Sequence, residues 1–324
     1  MIPEKDMKKE TDRKQNISTG IPREKTLIRK LAPVFVLTAG ILWGTMGIFV
    51  RRLNNAGLAS LEIVALRAIV TCAALFLFLL VYDRKLLKIR LKDIWCFLGT
   101  GICSIVFFNY CYFKAITMTS LSVAAVLLYT APAMVMVMSR FLFREKFTGI
   151  KVLALVLTFF GCVLVTGIAG SSDVLSPAGI LVGMGAGFGY ALYSIFGKFA
   201  IEKGYDSFTI SFYTFLAASV GVLPLTDVKL LGSIVFRDVS IILFALVFGL
   251  ASTVVPYLTY TIGLKYMENS KASIIASVEP VVATLLGILV FREPMTAGGM
   301  LGVVLVLFSI VICQKDPGKK TGQA

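Results

Sequence analysis

The 324-residue chain is 57% apolar and only 15% charged, and its 32 Lys and Arg against 18 Asp and Glu give a formal charge of +14 with no histidine. Length alone would suggest two soluble domains, but soluble domains run at about 45–50% apolar and about 25% charged, so the composition excludes them in favour of a membrane protein. The missing histidine removes the commonest metal ligand, catalytic base and neutral-pH sensor. The six cysteines lack metal-type spacing and lie in or near apolar runs, so no metal, cofactor or disulfide framework is expected.

Residues 1–30 form a basic tail with no apolar core before Leu31. This predicts no cleavable signal peptide and leaves the first span as the targeting signal. From Leu31 to Cys313, apolar runs of about 17–25 residues follow one another, each long enough to cross about 30 Å of hydrocarbon as a helix. The runs lack the alternation of barrel strands. Ten spans are predicted, at 32–50, 60–82, 94–113, 120–141, 149–169, 178–197, 208–225, 239–262, 270–291 and 297–313. The first carries Gly40 and Gly44, the sixth Gly183, Gly185, Gly187 and Gly189, and the tenth Gly298 and Gly302; such spacing lets helix backbones approach closely. Pro132, Pro256 and Pro280 fall inside the fourth, eighth and ninth spans, where each is expected to bend its helix as a fixed kink or a hinge.

Charge placement sets the orientation. Twenty-four Lys and Arg fall in the two tails and on the loops that share their side, and six fall on the other: Arg51, Arg52, Lys114, Lys229, Arg237 and Arg292. By the positive-inside rule both termini are cytoplasmic, which an even number of spans requires. This asymmetry accounts for the basic balance, so no nucleic-acid partner is expected.

The chain also repeats itself. Phe143-Arg144-Glu145 recurs as Phe291-Arg292-Glu293, Pro132 as Pro280, Ser122 as Ser270 and Thr148 as Thr296, each 148 residues on; an earlier stretch aligns at an offset of 147, with Gly40 on Gly187 and Gly57 on Gly204. The units are a basic tail (1–30), a five-span repeat (31–169), an external linker (170–177), a second five-span repeat (178–314) and a second basic tail (315–324). Five is odd, so the halves are inverted, and the expected fold is an all-α polytopic membrane protein of ten helices in two inverted five-helix repeats, an architecture of transporters. The Phe-Arg-Glu motifs read as turns that end the fourth and ninth spans, with Thr148 and Thr296 capping the helices that follow; gates at the two faces are the alternative.

Glu279 is the leading candidate site residue. It lies about ten residues into the ninth span, about 15 Å deep, where an acid costs about 2.5–3.5 kcal/mol and needs a cavity, a partner or a proton. A buried ion pair that only fixes packing is the alternative. Arg67, about 10 Å deep in the second span, is its natural partner by charge, unless it snorkels. Lys271 lies two helical turns before Glu279 on the same face and is placed either to receive a substrate anion or to snorkel to the headgroups. Trp43, Asn109, Tyr129, Tyr190, Tyr193 and Tyr257 cluster at mid-span with Tyr110, Thr130 and Tyr260. They suit either packing or a mostly apolar pocket with polar tips, which fits an amphipathic organic molecule.

Ala39-Gly40-Ile41-Leu42-Trp43-Gly44, Leu66-Arg67, Val278-Glu279-Pro280 and Phe291-Arg292-Glu293-Pro294-Met295-Thr296, in this order, resemble the drug/metabolite transporter superfamily, specifically the EamA type. The resemblance covers about residues 31–314. It implies an inner-membrane secondary carrier with two inverted five-helix repeats and cytoplasmic termini, whose relatives commonly export amino acids, metabolites or toxic organic compounds and in some cases import. The charged tail at 1–30 departs from a minimal member and suggests an added cytoplasmic contact.

The expectation is a secondary active transporter of small organic metabolites in the cytoplasmic membrane, working by alternating access. It exports amino-acid-like or amphipathic compounds, and its partner is a coupling proton or an exchanged metabolite. In this reading Glu279 binds a cationic group or a proton, and Arg67 or Lys271 a carboxylate. The rivals are an importer of the same fold and a membrane scaffold or sensor working through its basic tail. An enzyme is not expected, because no paired acids, histidine or nucleotide-binding loop are present.

Overall fold

The computed structural model describes residues 23–167, 176–292 and 294–316, with side chains from residue 27. Most of the N-terminal tail, most of the 170–177 linker, Glu293 and the end of the C-terminal tail lie outside the described residues.

The first span is built of α1 (Arg23–Gly44) and α2 (Met46–Asn55), and the second is α3 (Ser60–Tyr82). The third runs through α4 (Ile94–Leu98), a π-helical segment (Gly99–Val106) and α5 (Phe107–Met118). The fourth is split into α6 (Leu121–Leu128) and α7 (Ala131–Leu142), and the fifth is α8 (Gly149–Val165). In the second half, α9 (Pro177–Glu202) and α10 (Ser207–Val222) are continuous, and a short helix α11 (Val228–Val235) follows. The eighth span joins α12 (Val239–Gly249), a π-helical segment (Leu250–Val254) and α13 (Val255–Tyr266). The ninth is split into α14 (Asn269–Ala276) and α15 (Glu279–Phe291), and the tenth is α16 (Ala297–Lys315). Among the described residues, nine helical stretches are long and apolar enough to cross a membrane, and α8, with 17 residues, is a shorter apolar tenth.

The inter-helix packing has two-fold symmetry. α13 lies along α1 as α9 lies along α5, so span eight pairs with one and span six with three; α10 packs on α3, and α16 on α8, across the axis itself. The chain is therefore an all-α polytopic membrane protein of two inverted five-helix repeats.

Duplicated residues adopt duplicated conformations. Arg144 and Arg292 both have φ of 56°, a left-handed conformation rare outside glycine, and Gly57 and Gly204 have φ of 103° and 86°. Left-handed residues end helices, and here the two Phe-Arg-Glu motifs stop α7 and α15. Thr148 Oγ1 accepts from the amide of Lys151 at 3.3 Å and Thr296 Oγ1 from that of Gly299 at 3.0 Å, caps worth about 1 kcal/mol each.

The prolines stand at interruptions of their spans. The fourth and ninth spans are each interrupted by two turn residues, Tyr129–Thr130 and Ser277–Val278, and Pro132 and Pro280 stand in the first turns of the second half-helices. A proline there sacrifices no helical hydrogen bond, because first-turn amides have no partner inside the helix. Each therefore stands at the start of a half-helix, while the backbone of the two break residues stays close to the right-handed helical region. Pro256 likewise opens α13, directly after a π segment, but the equivalent π segment in the third span ends just as abruptly before Phe107-Phe108. That irregularity belongs to the repeat and does not need the proline.

Glycine lets the breaks be covered. A Cβ at Gly40 would lie 2.8 Å from the Ala276 carbonyl oxygen, and one at Gly44 the same distance from that of Glu279; in the other half, one at Gly187 would lie 2.8 Å from that of Leu127. Helix α1 thus lies directly on the break of span nine, and α9 on the break of span four.

Candidate functional site

The break in span nine makes Glu279 the first residue of α15. A carboxylate in the first turn of a helix is favoured by the helix dipole and the unpaired amides. Its Oε2 accepts a hydrogen bond at 3.2 Å from the hydroxyl of Tyr190 on α9, and no second partner is found for it among the described residues. The contact joins the break of span nine to the span that covers the break of span four.

Beside this pair lies a narrow cavity of about 20 Å³, room for about one water molecule. Trp43, Phe108, Tyr190, Tyr193, Tyr257 and Tyr260 form most of its wall, with Ile105 and the hydroxyls of Ser104 and Ser194 completing it. The Trp43 ring is 5.1 Å from Tyr257, 5.4 Å from Tyr260 and 6.3 Å from Tyr190 between centroids. Several tyrosine tips are tied down: Tyr193 Oη is 2.8 Å from Thr261 Oγ1, and Tyr260 Oη is 2.6 Å from Ser194 Oγ. Trp43 Nε1 and Ser104 Oγ are buried without a hydrogen-bond partner among the described residues. An orphaned buried donor is costly and marks a place where a ligand or water belongs.

Arg67 is 2% exposed, so it does not snorkel. Its guanidinium donates to Met46 Sδ at 3.3 Å and to Asn109 Oδ1 at 3.5 Å, while Asn109 Nδ2 donates to the Ile105 carbonyl at 2.7 Å. Arg67 Nε has no hydrogen-bond partner among the described residues. No direct ion pair joins Arg67 to Glu279, though the two charges, and Tyr257 with them, lie within electrostatic range. Tyr129, at the break of span four, is partly buried against the main core, and Tyr110 is 47% exposed on the bundle surface.

Lys271 stands elsewhere. Its Nζ is 3.1 Å from Asp316 Oδ2 and 3.9 Å from Glu268, and it donates to the Asp316 carbonyl. Lys151, wholly buried, pairs with the same Glu268 at 2.9 Å. Close by, Glu145 accepts from the Asn269 and Ser270 amides at 2.7 and 3.2 Å and from the Ser270 hydroxyl at 2.5 Å, capping α14. Burial alone would raise the Asp316 carboxyl, but hydrogen bonds from Thr148 and Lys271 outweigh it and hold the group below the usual range. These groups lock together the ends of α7, α8, α14 and α16 at the face where α16 terminates.

The structure thus brings Trp43, Tyr190, Tyr193, Tyr257 and Glu279 together, sets Arg67 and Asn109 behind them, and leaves Lys271 in a separate ionic cluster. Ser104 and Ser194 escaped the sequence reading, and so did the roles of Glu145, Glu268 and Asp316. The serines had a weak signal: Ser194 follows Tyr190, and Ser104 precedes Phe108, by one helical turn.

Two inverted five-span repeats that enclose a buried polar site at their broken helices are the build of a multi-pass membrane transporter. The EamA-like transporter family matches residues 30–167 and again 177–313, and the chain belongs to it. An uncharacterized transporter of Archaeoglobus fulgidus is 29% identical over 290 residues, 87% of this chain and 95% of that one. The uncharacterized transporter YxxF of Bacillus subtilis (strain 168) is 29% identical over 266 residues, 80% of this chain and 81% of that one. A crystal structure at 17% identity superposes with a TM-score of 0.71 over 87% of this chain and 96% of its own, a likeness of fold. The chain is accordingly a membrane transporter whose substrate is a small molecule.

Proposed function

We propose that the chain is a secondary active transporter of the cytoplasmic membrane that exports amino-acid-like or amphipathic organic compounds by alternating access, with both termini in the cytoplasm. The observation that carries this reading is Glu279: a carboxyl at the start of a half-helix, mid-span between the repeats, bonded by Tyr190 at 3.2 Å with one oxygen left over. A group so placed can exchange a proton for a substrate ammonium as the repeats rock about it. Arg67, buried with one unpartnered N–H, supplies the opposite charge for a carboxylate. The excess of Lys and Arg on one side supports the orientation, and the ion pairs around Glu268 support a closed inner face.

Flux in proteoliposomes with Glu279→Gln tests the site: undiminished, still pH-dependent transport overturns the proton role. Metabolite profiles of medium and cells with and without expression test the direction, since depletion from the medium would select import. A chain lacking residues 1–28 should keep its flux if it is a carrier and not a scaffold.

A further inference from the structure

The loop between the second and third spans is charged unlike its counterpart in the other repeat. Residues 84–92 hold five cations, Arg84, Lys85, Lys88, Arg90 and Lys92, and no acid. The counterpart joins the seventh and eighth spans on the opposite face and sets Lys229 and Arg237 against Asp227 and Asp238. We propose that the 84–92 loop is a docking surface for the headgroups of anionic phospholipids, those of the cytoplasmic leaflet in the orientation given above.

The backbone of this loop is pinned. Two 3₁₀ turns, Arg84–Leu87 and Leu91–Asp93, flank a stretch that is extended at Lys88 and Arg90. The hydroxyls of Thr209 and Tyr213 on α10 donate to the carbonyls of Leu86 and Leu87 at 2.8 and 2.6 Å. The Tyr205 hydroxyl accepts from the Arg90 amide at 3.0 Å and donates to Asp93 Oδ2 at 2.9 Å. Asp93 is buried and pairs with Arg90 and Lys203, each at 2.8 Å. A loop of the first repeat is thus fastened to the second. Its side chains stand on a rigid frame, so a ligand has little backbone left to order.

The same bonds sort the cations. Arg90 and Lys203 are committed to Asp93 and hold the loop. Arg84, Lys85, Lys88 and Lys92 are exposed, and none of them makes an ion pair among the described residues.

Their apolar neighbours place these charges at a lipid boundary. Leu91 is 82% exposed, and Val81, Tyr82, Ile94 and Trp95 are exposed with it at the two span ends. Tyrosine and tryptophan at span ends sit at the level of the headgroups. Free cations next to exposed aromatic and aliphatic side chains match a phosphate joined to acyl chains, a combination that a dissolved anion lacks. Near an anionic leaflet each Lys or Arg strengthens attachment about fivefold.

Trp95 reports on this loop directly. The chain has two tryptophans, so Trp43→Phe leaves Trp95 as the sole emitter. The purified full-length protein in mixed micelles is given phosphatidylglycerol or phosphatidylcholine with brominated chains, and quenching of Trp95 is followed. Phosphatidylglycerol should quench at a mole fraction about tenfold or more below that of phosphatidylcholine. Lys85→Gln, Lys88→Gln and Lys92→Gln together should erase this preference, and Lys229→Gln with Arg237→Gln should leave it intact. Salt at about 1 M, which shortens the screening length to about 3 Å, should also erase it. Equal quenching by the two lipids, or a preference that survives the triple change, overturns the proposal. Relief of phosphatidylglycerol quenching by millimolar inorganic phosphate overturns it too and assigns a site for free anions. The readout needs neither flux nor a known orientation, so its failure leaves the transport reading untouched.

Discussion

At the face where α16 ends, buried charges are matched: Lys151 with Glu268, Lys271 with Asp316, and Glu145 with the amides that open α14. In the aromatic cavity the balance is reversed. Trp43 Nε1 and Ser104 Oγ, and Arg67 Nε behind them, are buried with nothing to bond, and Glu279 has one bond from Tyr190. Both regions place polar groups where desolvation is expensive, and in the first Asn269 Oδ1 and Asp316 Oδ1 are also without a hydrogen-bond partner among the described residues, but only the first sets each buried charge against an opposite charge or against amides. A network complete in its charge pairs holds helices in place, whereas one that leaves charges unmatched leaves room for a molecule that comes and goes.

The largest expected effect on stability lies in the complete network. Lys151→Met removes the 2.9 Å partner of Glu268, and breaking a buried pair costs about 3–5 kcal/mol. The apparent melting midpoint of the purified protein should fall sharply, and pairing Lys151→Met with Glu268→Leu should restore much of it. An unchanged midpoint in the single variant would mean that this network holds nothing together.

In the incomplete network the loss should be of transport and not of fold. Glu279→Gln keeps the shape and removes the charge. A hydrogen bond to a charged group is worth about 1.5–3 kcal/mol, so ligand binding or flux should fall by about 10–150-fold with the melting midpoint little changed. A variant that melts early while transporting normally would move Glu279 into the structural class.

Gly44→Val probes the packing of α1 on the break of span nine. Its side chain would drive into the Glu279 carbonyl and Val282, and overpacking of this kind costs about 1–3 kcal/mol. Because α1 also carries Trp43, both melting and ligand binding should suffer. Gly47→Ala, three residues on with open space around it, is the matched control and should leave both unchanged.

The sequence disclosed the fold more fully than the site, for a physical reason. Span number follows from hydropathy, and duplication is visible in motifs whose backbone needs are strict: left-handed residues at Arg144 and Arg292, and threonine caps at 148 and 296. Glu279, Tyr190 and Trp43 were legible because a mid-span acid and mid-span aromatics are conspicuous. Helix breaks were not, since a proline marks where a helix is disturbed without saying how many of its hydrogen bonds are lost there. Lys271 and Glu279 share a face on an unbroken helix; the break at Ser277–Val278 interrupts that register, and Lys271 turns to Asp316, 45 residues away, a contact that no local pattern announces.

Asp316 offers the smallest expected effect and the finest test of what completion means. Its carboxyl sits below the usual range despite burial, because Thr148 and Lys271 bond to it. A carboxyl lowered in the folded state stabilises that state fully above the ordinary carboxylate pKa of about 3.9, and the contribution fades as pH drops through the lowered folded value. Asp316→Asn should therefore melt slightly below the parent protein at neutral pH, and the gap should close as the pH falls below about 4. Transport at neutral pH should stay near that of the parent protein, because the cluster holds the helix ends and not the ligand. A gap that persists into acid would assign the stabilisation to shape and not to charge. A loss of flux as large as that of Glu279→Gln would show that the ionic face opens and closes with the cavity, and the line between a complete and an incomplete network would then separate two states of one cycle instead of two kinds of site.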